Sequence, residues 1–314
     1  MKLHVGLCAA LLTCIGTLAH SAPFAYVPNE KSGSISIIDT ATQRVVNTLV
    51  TGGKPRGIAV ARDGKTLYVS DQAAHGLVVI DLVKQEVADR IALGESPEGV
   101  SISPDGRWIV AAVELSNSVT FIDTATRQVA FSVKTQGKNP EHAVFSPDGR
   151  WLFVSAEEAD SVDIVDVANR RQVNAVKVGP RPRGIGFLSD GSRAYVACEL
   201  VSTVYVIDVK TQSVTNSIKA GEFSNGIAIA PDGKHVYVSN GRDASVSIID
   251  VASQTITATA PAGKRPWGLA TTPDGRTLYV ANGRSDSVSV IDTETAQAIA
   301  TIPVGTAPWG VVIR

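Results

Sequence analysis

Residues that could bind or catalyse recur at one fixed point of a repeated pattern. Each follows Pro, or Ser in one repeat, and precedes Gly, or His in one repeat. The seven residues are Arg56, Glu98, Glu141, Arg183, Asn225, Trp267 and Trp309. Guanidinium groups can hold a carboxylate or phosphate, aromatic faces can hold a planar or cationic group, and carboxylates can attract a cation or a basic partner. The pattern therefore indicates a binding surface.

A second recurring point, after a Tyr-Val-x-Asn sequence or its equivalent, carries more charge. It supplies Glu114, Glu157 and Glu199 in neighbouring repeats, and Gly followed by Arg242 or Arg284 in two later ones. Carboxylates thus gather on one side, relieved only by Arg183. The two tryptophans and the remaining arginines gather on the other. This polarity predicts a mouth that binds a ligand or partner. Random drift at exposed loop positions is the alternative explanation.

His142 replaces the expected glycine beside Glu141. The longest repeat interval has its extra residue just before this point, within 131–139, so one loop at the mouth is irregular. A neighbouring imidazole and carboxylate could act as an acid–base pair, and the imidazole could also bind a metal. Because no second histidine accompanies it in the motif, a packed or surface histidine is the simpler interpretation. We regard Glu141 and His142 as weak catalytic candidates and expect no metal site.

The elements that must position these residues are short strands. An aspartate ends the third apolar run of each repeat at intervals of 42 or 43 residues, and Asp-Gly turns separate the first two runs. Asp-Gly between alternating apolar runs favours a β-hairpin. Four strands in a unit of about 40 residues are typical of a β-propeller blade. The recurring aspartates are expected to cap turns rather than catalyse. Trp108 and Trp151, which follow Asp-Gly-Arg, are expected to pack.

The two ends of the chain look like complementary parts of one blade. Residues 25–27 resemble a second strand, and 309–313 resemble a first strand. We therefore predict an all-β, seven-bladed β-propeller of four-stranded blades over residues 23–314, closed by pairing the C-terminal strand with the N-terminal three. In that fold both recurring points meet at one mouth of the central channel.

The sequences Tyr26-Val27-Pro28-Asn29, Tyr68-Val69-Ser70-Asp71, Tyr237-Val238-Ser239-Asn240 and Tyr279-Val280-Ala281-Asn282 resemble the YVTN-type β-propeller repeat family. The resemblance covers residues 24–314 and implies the propeller fold. One subgroup accompanies pyrroloquinoline-quinone-dependent alcohol oxidation in the bacterial periplasm. The chain is similar to that subgroup at residues 29–31 and 308–312. This similarity implies an accessory role beside a quinone-dependent dehydrogenase.

The composition and the N-terminal sequence indicate the compartment of the protein and the class of its partner. The chain has 314 residues, 44% hydrophobic and 19% charged, which is ordinary for a folded protein. Residues 1–22 combine Lys2, an apolar run and small residues before Ser21, the pattern of a cleaved signal peptide. We therefore expect a periplasmic or secreted protein with no membrane span. Without Lys2 the mature chain carries 28 basic and 30 acidic residues, so we do not expect it to bind nucleic acid.

Three functions remain open from the sequence. The leading hypothesis is a monomeric, exported binding or accessory protein that uses its polarised mouth to hold a periplasmic protein or small molecule, with no cofactor. The second is a lactonase- or lyase-type enzyme at the channel mouth, with Glu141 and His142 as acid–base candidates. The third is a structural or surface interaction module. Replacing His142 separates the first two, because only an enzyme should lose turnover.

Overall fold

The computed structural model describes residues 23–314; the predicted signal peptide, residues 1–22, lies outside the described residues. Residues 23–314 form 28 strands and one short 3₁₀-helix, Glu199–Val201. The strands make seven antiparallel sheets of four, arranged as the blades of a propeller. The predicted fold class is confirmed.

Blade 1 joins the two ends of the chain, and blades 2 to 7 follow in sequence order. Blade 1 consists of β1 Phe24–Asn29, β2 Ser34–Asp39, β3 Arg44–Val50 and β28 Val312–Ile313. Blade 2 consists of β4 Pro55–Val60, β5 Thr66–Asp71, β6 Gly76–Asp81 and β7 Glu86–Ala92. Blade 3 consists of β8 Pro97–Ile102, β9 Trp108–Val113, β10 Ser118–Asp123 and β11 Gln128–Lys134. Blade 4 consists of β12 Pro140–Phe145, β13 Trp151–Ala156, β14 Ser161–Asp166 and β15 Arg171–Lys177.

The last three blades repeat the same order from the inner to the outer strand. Blade 5 consists of β16 Pro182–Phe187, β17 Arg193–Cys198, β18 Thr203–Asp208 and β19 Ser213–Lys219. Blade 6 consists of β20 Ser224–Ile229, β21 His235–Asn240, β22 Ser245–Asp250 and β23 Thr255–Pro261. Blade 7 consists of β24 Pro266–Thr271, β25 Thr277–Asn282, β26 Ser287–Asp292 and β27 Gln297–Pro303.

The ring closes within blade 1, as predicted. Tyr26 of β1 pairs with Val312 of β28. Phe24 and Arg314 exchange two backbone hydrogen bonds of 2.8 and 2.9 Å, and the Trp309 N–H donates to the Pro28 carbonyl. Closure leaves no free inner edge at the seam, which is the usual advantage of a circular sheet assembly.

The core lies between adjacent blades because the two middle strands of each blade are buried on both faces. For example, Tyr26 and Ile37 of blade 1 pack with Leu67 and Val78 of blade 2. The outermost strands alternate between exposed and partly buried residues. Each blade therefore contributes to two interfaces, and the inner strands are held in fixed positions around the channel.

The structure confirms two structural interpretations of the sequence. Asp39 accepts hydrogen bonds from the backbone N–H groups of Ala41 and Thr42, and the aspartates of the other repeats cap their turns in the same way. Trp108 packs edge-on against Phe121 at 6.4 Å, and Trp151 packs against a core cluster. None of these residues lies at the mouth of the central channel.

Candidate functional site

One end of the central channel opens into a mouth cavity of about 120 Å³. Its wall contains six of the seven residues at the first recurring point, and it adds Arg265 and His142. The charged, aromatic and amide residues of the wall are Arg56, Glu141, His142, Arg183, Asn225, Arg265, Trp267 and Trp309. The seventh, Glu98, lies fully buried behind Arg56.

Inter-blade hydrogen bonds fix the backbone that carries these residues. In blade 2 the Ser70 hydroxyl accepts from the Gly57 N–H and donates to the Glu98 carbonyl of blade 3, at 2.8 and 2.6 Å. Ser239 does the same between Gly226 and the Trp267 carbonyl. A Cβ atom on Gly57 would lie 2.2 Å from the Glu98 carbonyl oxygen. Glycine is therefore required because adjacent inner strands approach too closely for a side chain.

His142 forms part of the cavity wall opposite the closing segment. Its ring stacks on Trp309 with 5.4 Å between centroids and 16° between planes. Its backbone N–H donates to Ser155 at 3.0 Å, and its Nδ1 is buried without a hydrogen-bond partner. Burial lowers the pKa of His142 more than the Glu141 carboxylate raises it. The imidazole is therefore neutral near pH 7 and able to accept a proton.

A pair of arginines faces the same cavity. Arg183 contacts Glu141 at 2.6 Å, Glu157 at 3.1 Å and Glu199 at 3.1 Å. Arg265 pairs with the other oxygen of Glu199. These three carboxylates raise the pKa of Arg183 despite its burial. Glu199, fully buried, thus holds two guanidinium groups side by side, an arrangement suited to a carboxylate or an oxyanion.

The carboxylates near Arg56, on the other side of the mouth, also have defined partners. Glu98 Oε1 accepts from Arg56 and from Gln72, the latter at 2.9 Å, while Glu98 Oε2 has no partner. Burial, with the Glu141 and Glu114 charges, raises the pKa of Glu98 to about 9. The Ser96 hydroxyl donates to Glu114 at 2.5 Å. Arg56 also pairs with Glu30 at 3.1 Å, so it is not a free cation.

A basic cavity of about 440 Å³ lies beside the mouth cavity and shares Arg265 with it. The Arg242 guanidinium lies 4.4 Å from the centre of the Phe223 ring, which forms part of the wall. The charged residues that line the basic cavity are Arg181, Glu199, Arg242, Lys264, Arg265 and Arg284. Within residues 23–314, Lys264 and Arg284 make no salt bridge, so this cavity presents free positive charge.

Below the mouth the channel becomes apolar. A second space of about 140 Å³ is bordered by His142 and Trp309 above and by aliphatic side chains from five inner strands and from the segment before β28. These side chains are Ile58, Val100, Ile185, Ile227, Leu269 and Val311. The stacked His142–Trp309 pair therefore lies where the polar mouth meets an apolar channel.

The structure brings seven of the thirteen sequence-predicted residues together in the wall of the mouth cavity and places the others elsewhere. Arg242 and Arg284 lie in the basic cavity. Glu157 contacts Arg183, and Glu114 accepts a hydrogen bond from Ser96. Sequence reasoning missed Arg181 and Arg265. Both precede the proline of their repeat and adopt positive φ angles of 59° and 55°. Arg265 lines both cavities, and Arg181 lines the basic cavity. Comparing the residue before each proline across the repeats would have found them.

A search for membrane-spanning segments among residues 23–314 finds no helix with the necessary length and apolar character. Cys198 is buried, and burial raises the pKa of its thiol to about 12. It is therefore not a candidate nucleophile at neutral pH.

The chain matches two family models of β-propeller proteins. The family model described as "Lactonase, 7-bladed beta-propeller" matches residues 92–173 and 167–300, about two thirds of the chain. The model described as "YNCE-like beta-propeller" matches residues 4–103. No curated protein matches.

Solved structures share the fold. Hydrazine synthase of Kuenenia stuttgartiensis is 22% identical with a TM-score of 0.77, covering 91% of this chain and 99% of that chain. A protein of unknown function from Desulfotomaculum acetoxidans is 18% identical with a TM-score of 0.82, covering 93% and 99%. A Bacteroides fragilis protein provisionally named a 6-phosphogluconolactonase is 22% identical with a TM-score of 0.79, covering 95% and 99%. At these identities the likeness concerns the fold alone.

Proposed function

Because this chain belongs to the family of seven-bladed β-propeller lactonases, we propose that it hydrolyses a small lactone at the channel mouth. The proposal develops the enzyme hypothesis from the sequence, with His142 as the base. The observation that carries it is the position of a neutral, partly buried imidazole opposite two fixed guanidinium groups in one cavity. That cavity, of about 120 Å³, suits a ring of lactone size.

In this proposal each group has one chemical role. His142 removes a proton from water as the water oxygen attacks the lactone carbonyl carbon. Arg183 and Arg265 stabilise the negative charge that forms on the carbonyl oxygen. The bond between that carbon and the ring oxygen then breaks, and the imidazolium returns its proton to the leaving alkoxide. The product is an open-chain hydroxy acid, whose carboxylate the same arginines bind.

The surroundings favour a lactone that carries an acidic group. Arg265 lines both the mouth cavity and the basic cavity, so a substrate could place its ring near His142 and its anionic group near Lys264 and Arg284. The name given to the Bacteroides fragilis protein includes a phosphorylated lactone, which agrees with this class. Glu199 is a positioning residue in this scheme, since it orients both arginines without lining the mouth cavity.

The decisive experiment measures hydrolysis of neutral and acidic lactones by the purified protein and by His142→Ala. Turnover should fall by about 100-fold or more, because a general base contributes 10²–10⁴ in rate. His235→Ala is the matched control, since His235 begins β21 away from the cavity. Unchanged turnover in His142→Ala, or no hydrolysis across the panel by the intact protein, would contradict the proposal.

A second candidate function is binding without catalysis, as an exported accessory protein. The basic cavity favours it, because Lys264 and Arg284 present positive charge without carboxylate partners among residues 23–314. The partner would be an acidic small molecule or a periplasmic protein, including a quinone-dependent dehydrogenase. In this case Lys264→Ala with Arg284→Ala should abolish binding, while His142→Ala should leave binding intact.

Export is part of the same proposal. Residues 1–22 have the sequence features of a signal peptide. N-terminal sequencing of the protein recovered from the periplasm of a bacterial host should give a start at residue 22 or 23. Recovery of the chain with residues 1–22 intact in the cytoplasm would contradict export.

A further inference from the structure

The lower channel, the space of about 140 Å³ beneath the mouth cavity, has aliphatic side chains around it. In six of the seven repeats, the residue two positions after the first recurring point is Ile, Val or Leu and lines this space. Ile58 follows Arg56 in this way in β4, and Ile227 follows Asn225 in β20. Residues two apart in a strand face the same side and are separated by about 6.6 Å. The aliphatic residues therefore form a second ring below the charged and aromatic ring of the mouth.

The lower channel adjoins the mouth cavity beside the proposed base. His142 of blade 4 and Trp309 of the segment that closes blade 1 stack on each other across the channel. Both residues line the mouth cavity and the lower channel, as do Gly226 and Gly268 of blades 6 and 7. A ligand bound at His142 is therefore in position to place a substituent past the stacked pair, on the side of these two glycines.

Charge separates the lower channel from the basic cavity. The basic cavity shares Arg265 with the mouth cavity, whereas none of its described lining residues borders the lower channel. Among residues 23–314, no side chain of Asp, Glu, Lys or Arg lines the lower channel. A charged group placed there would lose its water without gaining a charged partner, which is costly. The mouth thus offers a bound molecule two directions, one for an anionic group and one for an uncharged aliphatic group.

We propose that the lactone substrate carries an aliphatic substituent that lies in the lower channel. This inference rests on the hydrolysis proposed above and names the substrate class. A cavity of about 150 Å³ holds benzene, so the lower channel, of about 140 Å³, admits a chain of about five carbons. Burying each methylene of the chain should strengthen binding by about 4-fold. An acidic group on the same substrate would occupy the basic cavity.

The test measures hydrolysis of γ-lactones whose alkyl chain lengthens from none, in γ-butyrolactone, through pentyl, in γ-nonalactone, to octyl, in γ-dodecalactone. The value of kcat/KM should rise by about 4-fold per carbon up to a chain of about five carbons and then stop rising. The gain should appear as a lower KM, because the chain makes the same contacts in the ground state and in the transition state. A value of kcat/KM that is independent of chain length, or that falls with it, would overturn the inference.

Binding without hydrolysis separates this inference from the proposed function. The 3-alkylcyclopentanones have the ring size and the carbonyl group of these lactones but no ester bond. Their binding, measured by quenching of tryptophan fluorescence, should strengthen with chain length up to the same limit. Chain-dependent binding of the ketones without hydrolysis of any lactone would refute the proposed function and support the role of the lower channel. Hydrolysis without any dependence on chain length would overturn the role of the lower channel alone.

Two variants change the volume of the lower channel. Val100→Phe fills it, so the ratio of kcat/KM for γ-nonalactone to kcat/KM for γ-butyrolactone should fall at least about 10-fold. Val129→Phe, on the exposed face of β11 in the same blade, is the matched control and should keep the ratio. Ile227→Ala enlarges the channel and gives an independent test if Val100→Phe fails to fold, because the longest chain that still gains should lengthen by about two carbons. An unchanged ratio in folded Val100→Phe, or an unchanged chain limit in Ile227→Ala, would overturn the proposal.

Discussion

Replacement of Glu199 by Gln should weaken both the fold and the catalytic site, because one carboxylate holds two cavity-lining arginines. Glu199 is fully buried and contacts Arg181, Arg183 and Arg265. Glutamine keeps the size of the side chain but removes the charge and presents an NH₂ group to a guanidinium. The change therefore isolates the electrostatic contribution.

The expected magnitude follows from what each arginine loses. Arg183 keeps Glu141 and Glu157, and Arg181 is 38% exposed and can turn to solvent. Arg265, only 18% exposed, loses its one carboxylate partner among the described residues. Removing one partner of a buried pair costs about 3–5 kcal/mol, and we expect the lower end, about 3 kcal/mol, since Arg265 borders a cavity. That corresponds to a melting temperature lower by roughly 6–12 °C.

A double-mutant cycle with Arg265→Met tests the reasoning. If the cost is an orphaned Arg265, Glu199→Gln should be nearly harmless in the Arg265→Met background, with a coupling energy of about 2 kcal/mol or more. Lactone turnover should fall with either single change and fall little further in the double variant. Costs that add within about 0.5 kcal/mol would show that Glu199 does not act through Arg265 and would refute this account.

Three further predictions concern the base and the seam. Lactone turnover should rise with pH through an inflection below 6.5, the ordinary pKa of histidine. The reason is that burial lowers the pKa of His142 and that only the neutral imidazole accepts a proton. An inflection above pH 7 would contradict the role of His142 as the base. Trp309→Ala should move this inflection upward by admitting water to the imidazole, while Trp309→Phe should preserve it. Deletion of residues 308–314 should abolish cooperative melting, whereas a circular permutant that joins residues 314 and 23 and opens at the Asp63-Gly64 turn should melt cooperatively.

The fold was predictable because every repeat carries the same local sequence signals. Asp-Gly turns, capping aspartates and alternating apolar runs specify strands without reference to distant contacts. The pairing of β1 with β28 followed from the complementary sequences around Tyr26 and Val312. Even the irregular loop before His142 was visible, because residues 135–139 are one longer than the corresponding segment 93–96.

The site was only partly predictable, since charge pairing depends on which repeats become neighbours around the channel. Counting charges by repeat placed Arg56 with the two tryptophans, on the side away from the carboxylates. In the structure it pairs with Glu98 of the next blade and with Glu30 of the preceding blade. Arg265 reaches Glu199 from two blades away, a contact between residues 66 positions apart. Such pairs depend on which blades become neighbours around the ring, which no single repeat specifies.

The seam and the proposed chemistry are linked through one contact. Trp309 belongs to the segment that closes blade 1, yet its ring lies on His142 of blade 4 on the opposite side of the channel. The last residues of the chain therefore shield His142 from water. Its lowered pKa requires that the ring of blades be closed. A protein with an open seam would have a hydrated His142 with an ordinary pKa, even if blade 4 remained folded. For this reason the catalytic and structural consequences of the closing strand should appear together.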